Sequence, residues 1–213
     1  TRDSALVRRI GQAVAEEMWA AHIDLNFSPA ISVPRDERWG RTYEGFGEIP
    51  ELVASLGAAY VRGLQGDNFD AEWRVPATVK HFLGDGATDK GYDRGNATIS
   101  EEELNAIHLP PYIAAIEQGV QSVMASFNQV NGVHQHVDSL RLTVLLKKEL
   151  GFDGYVIADW EGIENSKSPG EAGNYSGSHT GVSSTEAVRN AINAGIDMAM
   201  VPQSASTFIS SMK

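Results

Sequence analysis

The run Gly151-Phe152-Asp153-Gly154-Tyr155-Val156-Ile157-Ala158-Asp159-Trp160-Glu161-Gly162 carries an apolar stretch, Tyr155 to Ala158, with no polar alternation and a carboxylate at its end. An uninterrupted apolar strand suits a sheet covered on both faces, and such sheets are parallel. Upstream, Leu140 to Leu150 reads as a leucine-rich helix joined to this strand by only Gly151-Phe152-Asp153. Downstream, the next helical pattern begins only at Ala187. A short helix-to-strand link and a long strand-to-helix link therefore flank one buried strand.

The same alternation extends along the chain. Leu6, Ile10, Ala13, Val14 and Met18 recur at helical spacing, predicting a helix over 4–22 with Asp3 or Ser4 as its N-cap. A strand is expected at Asp24-Leu25-Asn26-Phe27. A second helix follows through Leu52, Leu56, Tyr60 and Leu64, closed by Gly66. Next come a strand at Ala77-Thr78-Val79 and a helix over 100–118, where Ser100 and Glu103 have capping-box spacing. Pro110 and Pro111 are expected to kink or divide that helix. Further strands are expected at 122–126 and 198–201, and further helices at 187–194 and 206–212.

Five strands separated by helices predict parallel βαβ units. The strand-to-helix links are long, about 20 residues after Phe27, about 18 after His81 and more than about 20 after Asp159, which marks them as functional loops. Loops gathered at strand carboxyl ends favour a (β/α)8 TIM-barrel type of α/β fold. A doubly wound sheet is the alternative, but no strand leads into a Gly-x-Gly-x-x-Gly phosphate turn. About five strand-helix units cannot close a barrel that needs eight. Residues 1–213 are thus expected to form a partial barrel domain whose early strands lie outside this chain.

Composition narrows the chemistry. With 17 Lys and Arg against 28 Asp and Glu, the net charge is -11, which disfavours nucleic-acid and anionic-membrane partners. The absence of cysteine removes disulfides, zinc-thiolate sites and thiol catalysis. Ionisable residues instead collect at the strand ends. Pro34-Arg35-Asp36-Glu37-Arg38-Trp39-Gly40-Arg41-Thr42-Tyr43-Glu44 follows the first strand. The next strands end in Lys80-His81-Phe82, Ser126-Phe127-Asn128 and Asp159-Trp160-Glu161.

Each has a plain reading beside a catalytic one. Asp159 is a nucleophile or general base at the rim of a rigid strand, or a loop carboxylate. Lys80 and His81 would point to opposite faces of a regular strand. If both reach one ligand, the backbone near Phe82 must be distorted. Arg41 is a substrate contact or the local partner of Glu44 or Glu48. Lys80 would also suit a Schiff base, and His81 with Asp85, Asp89 and Asp159 a hydrolytic metal.

The segments around Arg41, Val79-Lys80-His81-Phe82-Leu83-Gly84-Asp85-Gly86, Ser122 to Gly132 and Gly151 to Ile163 resemble glycoside hydrolase family 3 in order and spacing. Asp159-Trp160-Glu161-Gly162-Ile163 and Met198-Ala199-Met200-Val201-Pro202 look most like its β-glucosidase and exo-1,3/1,4-β-glucanase branch. The resemblance implies a retaining hydrolase that removes β-linked glucose from β-glucans or β-glucosides, without a cofactor. It implies Asp159 as the catalytic nucleophile. Arg41, Lys80 and His81 would grip the terminal glucose and Trp160 would stack on the next, with Phe127 close by. The loop after His81 lacks the Asp-Ser-His signature of the β-N-acetylglucosaminidase branch. The acid/base is then expected to be a Glu of a C-terminal α/β domain outside this chain, and secretion or a periplasmic location is a family-level expectation. Phe127 replaces a common Tyr, Ala158 a common Ser, and Ile49 interrupts the usual Gly-Glu-Asp-Pro run. The non-enzymatic alternative is an incomplete barrel that only binds carbohydrate or needs a complementing domain.

Overall fold

The computed structural model describes residues 2–67, 69, 72–166, 184–203 and 205–213. Helix α1 (Ser4–Ala20) starts where the Asp3 carboxylate accepts a hydrogen bond from the Leu6 amide, a standard N-cap. It packs along α2 (Pro50–Gln65), which has proline in its first turn, where no N–H is needed. The two helices touch at Gly11 and Gly63: a Cβ on Gly63 would lie 2.3 Å from the Arg8 carbonyl oxygen.

A parallel sheet of β1 (Thr78–Phe82), β3 (Ser122–Ala125) and β6 (Tyr155–Ile157) lies beside them, in that spatial order. Val79 pairs with Val123, which pairs with Val156, and all three are fully buried. The parallel α/β fold is therefore as expected. Among the described residues, however, the regular ladder has three strands and not five. The expected strands at 24–27 and 198–201 reduce to isolated parallel bridges, Asn26 to Ala77 and Ile157 to Met198, with a further bridge from Ala30 to Lys80. Among the described residues each pairs on one side only, and Pro29 offers no N–H beside the first, so few ladder bonds form.

The register between β1 and β3 shifts between Val79 and Phe82, and the Lys80–His81 and Phe82–Leu83 peptide bonds are cis. The register shift is a backbone irregularity near Phe82, the condition under which Lys80 and His81 could face one ligand.

A small second sheet has no counterpart among the expected elements: β2 (Asn96–Ala97) pairs parallel with β4 (Gln129–Val130), which turns back antiparallel into β5 (Val133–His134). The hairpin turn is Asn131-Gly132, both at positive φ, the two-residue turn that matches strand twist. The expected helix over 100–118 is divided as the prolines predict. Ser100 caps α3 (Glu101–Glu103), a π-helical segment covers Leu104–His108, and α4 (Pro110–Glu117) completes it. Leu140–Glu149 is a π-helix, and α5 (Thr185–Ala194) and α6 (Ala205–Ser211) follow. Phe82, Tyr112, Val123, Leu142, Leu146 and Val156 belong to one core that joins the sheet to its helices. Among the described residues no helix is long and apolar enough to cross a membrane.

Candidate active site

Parallel register brings the strand ends level. Phe82 lies opposite Ala125 and Met124 opposite Ile157, so His81, Ser126 and Asp159 emerge at one edge of the sheet. The Ser126 amide donates to the Phe82 carbonyl at 2.7 Å, and the Ala158 amide to the Met198 carbonyl at 2.8 Å. The rim is therefore hydrogen-bonded backbone, a rigid platform for side chains.

Asp159 sits just beyond β6, its side chain 14% exposed. One carboxylate oxygen, Oδ1, accepts the Trp160 amide at 2.7 Å, and Oδ2 lies 3.6 Å from His81 Nε2. The Asp159 amide in turn donates to His136 Nε2 at 3.0 Å. The carboxylate is thus held by its own chain while part of it faces outward.

His81 is buried between charges. Its Nδ1 lies 2.8 Å from Asp85 Oδ2, although the N–H is not aimed along that line, so the contact is electrostatic more than a formed hydrogen bond. Its Nε2 lies 3.0 Å from Arg41 Nη2. A guanidinium nitrogen can only donate, so Nε2 accepts here and a ring proton belongs on Nδ1.

Arg41 enters from the first long loop. Its guanidinium forks onto Glu44, Nε to Oε1 and Nη2 to Oε2, both at 2.8 Å. Arg41 thus pairs with Glu44 within its loop and also reaches His81. Burial works against its charge, but the Glu44 bond and the fields of Asp85, Glu44 and Asp159 outweigh it and raise its pKa. The Arg41 bond is also the main reason the Glu44 carboxyl is held below its ordinary range.

Lys80 is half-buried. Desolvation first, and then the like charge of Arg41, lower its pKa against the opposing fields of Glu44, Asp159 and Asp85. Lys80, His81, Arg41 and Asp159 therefore share one electrostatic neighbourhood.

Trp160 stands half-exposed beside Asp159. Phe127 is buried, with the Arg94 guanidinium 4.2 Å above its ring and His136 at 5.8 Å between ring centroids. Glu161 is buried too, at φ 52. In the loop after His81, Asp85 is buried, Asp89 accepts from the Thr98 amide and hydroxyl, and Asp93 pairs with Arg94. Among the described residues no three His, Asp or Glu side chains converge to hold a metal ion.

Sequence reasoning overlooks His136. It is fully buried, and burial, partly opposed by the charge of Asp159, lowers its pKa to about 4. It follows the Asn131-Gly132 hairpin, 23 residues before Asp159, and no local pattern links the two.

Comparison with known proteins gives the chain's relatives. The model of the glycosyl hydrolase family 3 N-terminal domain matches residues 1–213. The lysosomal β-glucosidase of Dictyostelium discoideum is 36% identical over 197 residues, covering 90% of this chain and 23% of that protein. The periplasmic β-glucosidase of Salmonella typhimurium is 32% identical over 203 residues, 95% of this chain and 25% of that one. The crystal structure of exo-1,3/1,4-β-glucanase from a Pseudoalteromonas species superposes with a TM-score of 0.87 at 43% identity, covering 99% of this chain and 25% of that one. The chain spans about a quarter of the length of these relatives.

Proposed function

This chain belongs to glycosyl hydrolase family 3, and from that premise we propose that it supplies the nucleophile side of a retaining β-glucoside hydrolase. The observation that carries the reading is the placement of Asp159. It is a backbone-anchored, part-exposed carboxylate at a strand's carboxyl end, 3.6 Å from His81 and in the fields of Arg41 and Lys80.

In the proposed reaction Asp159 attacks the anomeric carbon, forming a glycosyl ester as the bond to the leaving oxygen breaks. An acid protonates that oxygen, then as a base takes a proton from the water that hydrolyses the ester. In a retaining site the two carboxyl groups stand roughly 5–5.5 Å apart. We assign the acid/base, as the family resemblance implies, to a Glu of a C-terminal α/β domain outside these residues. Arg41, Lys80 and His81 bind the terminal glucose, Trp160 stacks on the next unit, and Phe127 backs the pocket. The parallel strand order, with loops at the carboxyl ends, suits a (β/α)8 barrel of which this chain forms part.

The relatives' names include β-glucosidase and exo-1,3/1,4-β-glucanase, which supports a β-glucoside or β-glucan as the substrate class; the family resemblance adds cleavage from the non-reducing end. Lysosomal and periplasmic relatives support a secreted or compartment-held enzyme.

The test is covalent trapping with 2,4-dinitrophenyl 2-deoxy-2-fluoro-β-glucoside, applied to a full-length protein containing this chain. Its leaving group needs no protonation, so trapping reports the nucleophile alone. The expected result is one sugar added, on the peptide containing Asp159, and no label in Asp159→Asn. A label elsewhere, in an enzyme still cleaving β-glucosides, would remove Asp159 from the role.

A further inference from the structure

We infer that His136 is a positioning residue for the reaction: as a neutral hydrogen-bond acceptor it fixes the backbone amide of Asp159 and so aims the carboxylate. The inference rests on the proposed role of Asp159 as nucleophile.

Three observations converge on it. The Asp159 amide donates to His136 Nε2 at 3.0 Å. An amide N–H can only donate, so Nε2 carries no proton and the ring is the Nδ1–H tautomer. The other side of the ring is held by a hydrogen bond to the backbone of Ser126, at the end of β3. His136 therefore ties the ends of two adjacent strands, β3 and β6, at the level of the site.

The ring is also clamped. A Cβ on Gly162 would fall 2.1 Å from Nε2, so the turn after Asp159 lies directly against the imidazole and only glycine leaves that space. Phe127 packs on the ring at 5.8 Å between centroids. His136 itself is 1% exposed and reaches no solvent-facing surface where a substrate could touch it. The titratable groups whose charge it feels are Asp159, His134 and His81. Burial keeps the ring neutral, as its acceptor role demands.

Deleting the acceptor would leave a buried amide unpaired and free the Asp159 backbone to shift. A misplacement of about 1 Å at a reacting group costs on the order of 100-fold in rate. His136→Phe keeps the ring volume and the contacts with Phe127 and Gly162 but has no acceptor. His136→Gln returns an amide oxygen near the place of Nε2.

In the full-length protein, the fluoroglucoside trapping rate at saturation should fall about 10- to 100-fold in His136→Phe, with the inhibitor's Kd changed by less than about threefold. His136→Gln should recover most of the loss. If His136→Phe fails to fold, His136→Asn takes its place. Asn keeps a donor near Nδ1 for Ser126 but does not reach the Asp159 amide, and the same loss is expected. Trapping at the wild-type rate in a folded Phe or Asn variant, or equal loss in Phe and Gln, would overturn the inference. The labelled peptide reads separately: Asp159 labelled at unchanged rates sinks the role of His136 alone, whereas label elsewhere sinks the nucleophile itself.

Discussion

Arg41 shows how one residue can serve its own loop and the site together. Its fork accommodates Glu44 bidentately while Nη2 also reaches His81, which a lysine ammonium cannot reproduce. Arg41→Lys should therefore raise the KM for an aryl β-glucoside by about tenfold, roughly 1.4 kcal/mol, in a full-length protein. Steady-state kinetics check this, and an unchanged KM would mean that Arg41 serves only its loop. At this scale, Asp159, Lys80 and His81 are legible because strand ends are where a parallel fold exposes polar groups. His136 is not, because its role comes from an amide 23 residues away.

Among the elements, the α1–α2 contact depends on two glycines. Gly11 and Gly63 let the backbones approach, and a Cβ on Gly63 would meet the Arg8 carbonyl oxygen at 2.3 Å and the Gly11 Cα at 2.8 Å. Both obstacles are backbone, so neither can swing away. Gly63→Ala should cost about 2 kcal/mol through overpacking, lowering Tm by roughly 6 °C. A thermal melt matching the parent protein would show that the helices can part freely. Long elements with a clear apolar period are legible: α1, α2, α5 and the central strands lie near their expected positions. The two-residue strands β2, β4 and β5 are not, since so short a segment carries no period. The outer strands come out shorter than expected because strand-like sequence does not supply a neighbour on both sides.

For the molecule as a whole, two buried histidines link folding to pH. His108 and His136 both have their pKa lowered from 6.5 to about 4. Burial is the main cause for each, joined by the field of Arg35 at His108 and of His134 at His136. The unfolded chain then binds more protons than the folded one between about pH 6.5 and pH 4. Stability is full above that window and falls as pH drops through it, by on the order of 3 kcal/mol per histidine at most. Tm measured from pH 7 to pH 4.5 should decline, and His108→Gln should flatten the slope by about half. A Tm that rises or stays level on acidification would contradict the burial of these neutral rings.

The order of helices and parallel strands follows from the sequence itself, because apolar period and loop length are local properties that burial on two faces enforces. The same holds for the ionisable residues at the strand ends, and for membership of the family through its ordered motifs. Tertiary structure alone decided which of those residues meet. Register in the β1–β3–β6 sheet sets His81 beside Asp159, the first loop folds Arg41 onto His81, and His136 is buried against the Asp159 amide. Those contacts join residues distant along the chain, and their partners, tautomers and pKa shifts come from desolvation and close approach, which exist only once the chain has folded.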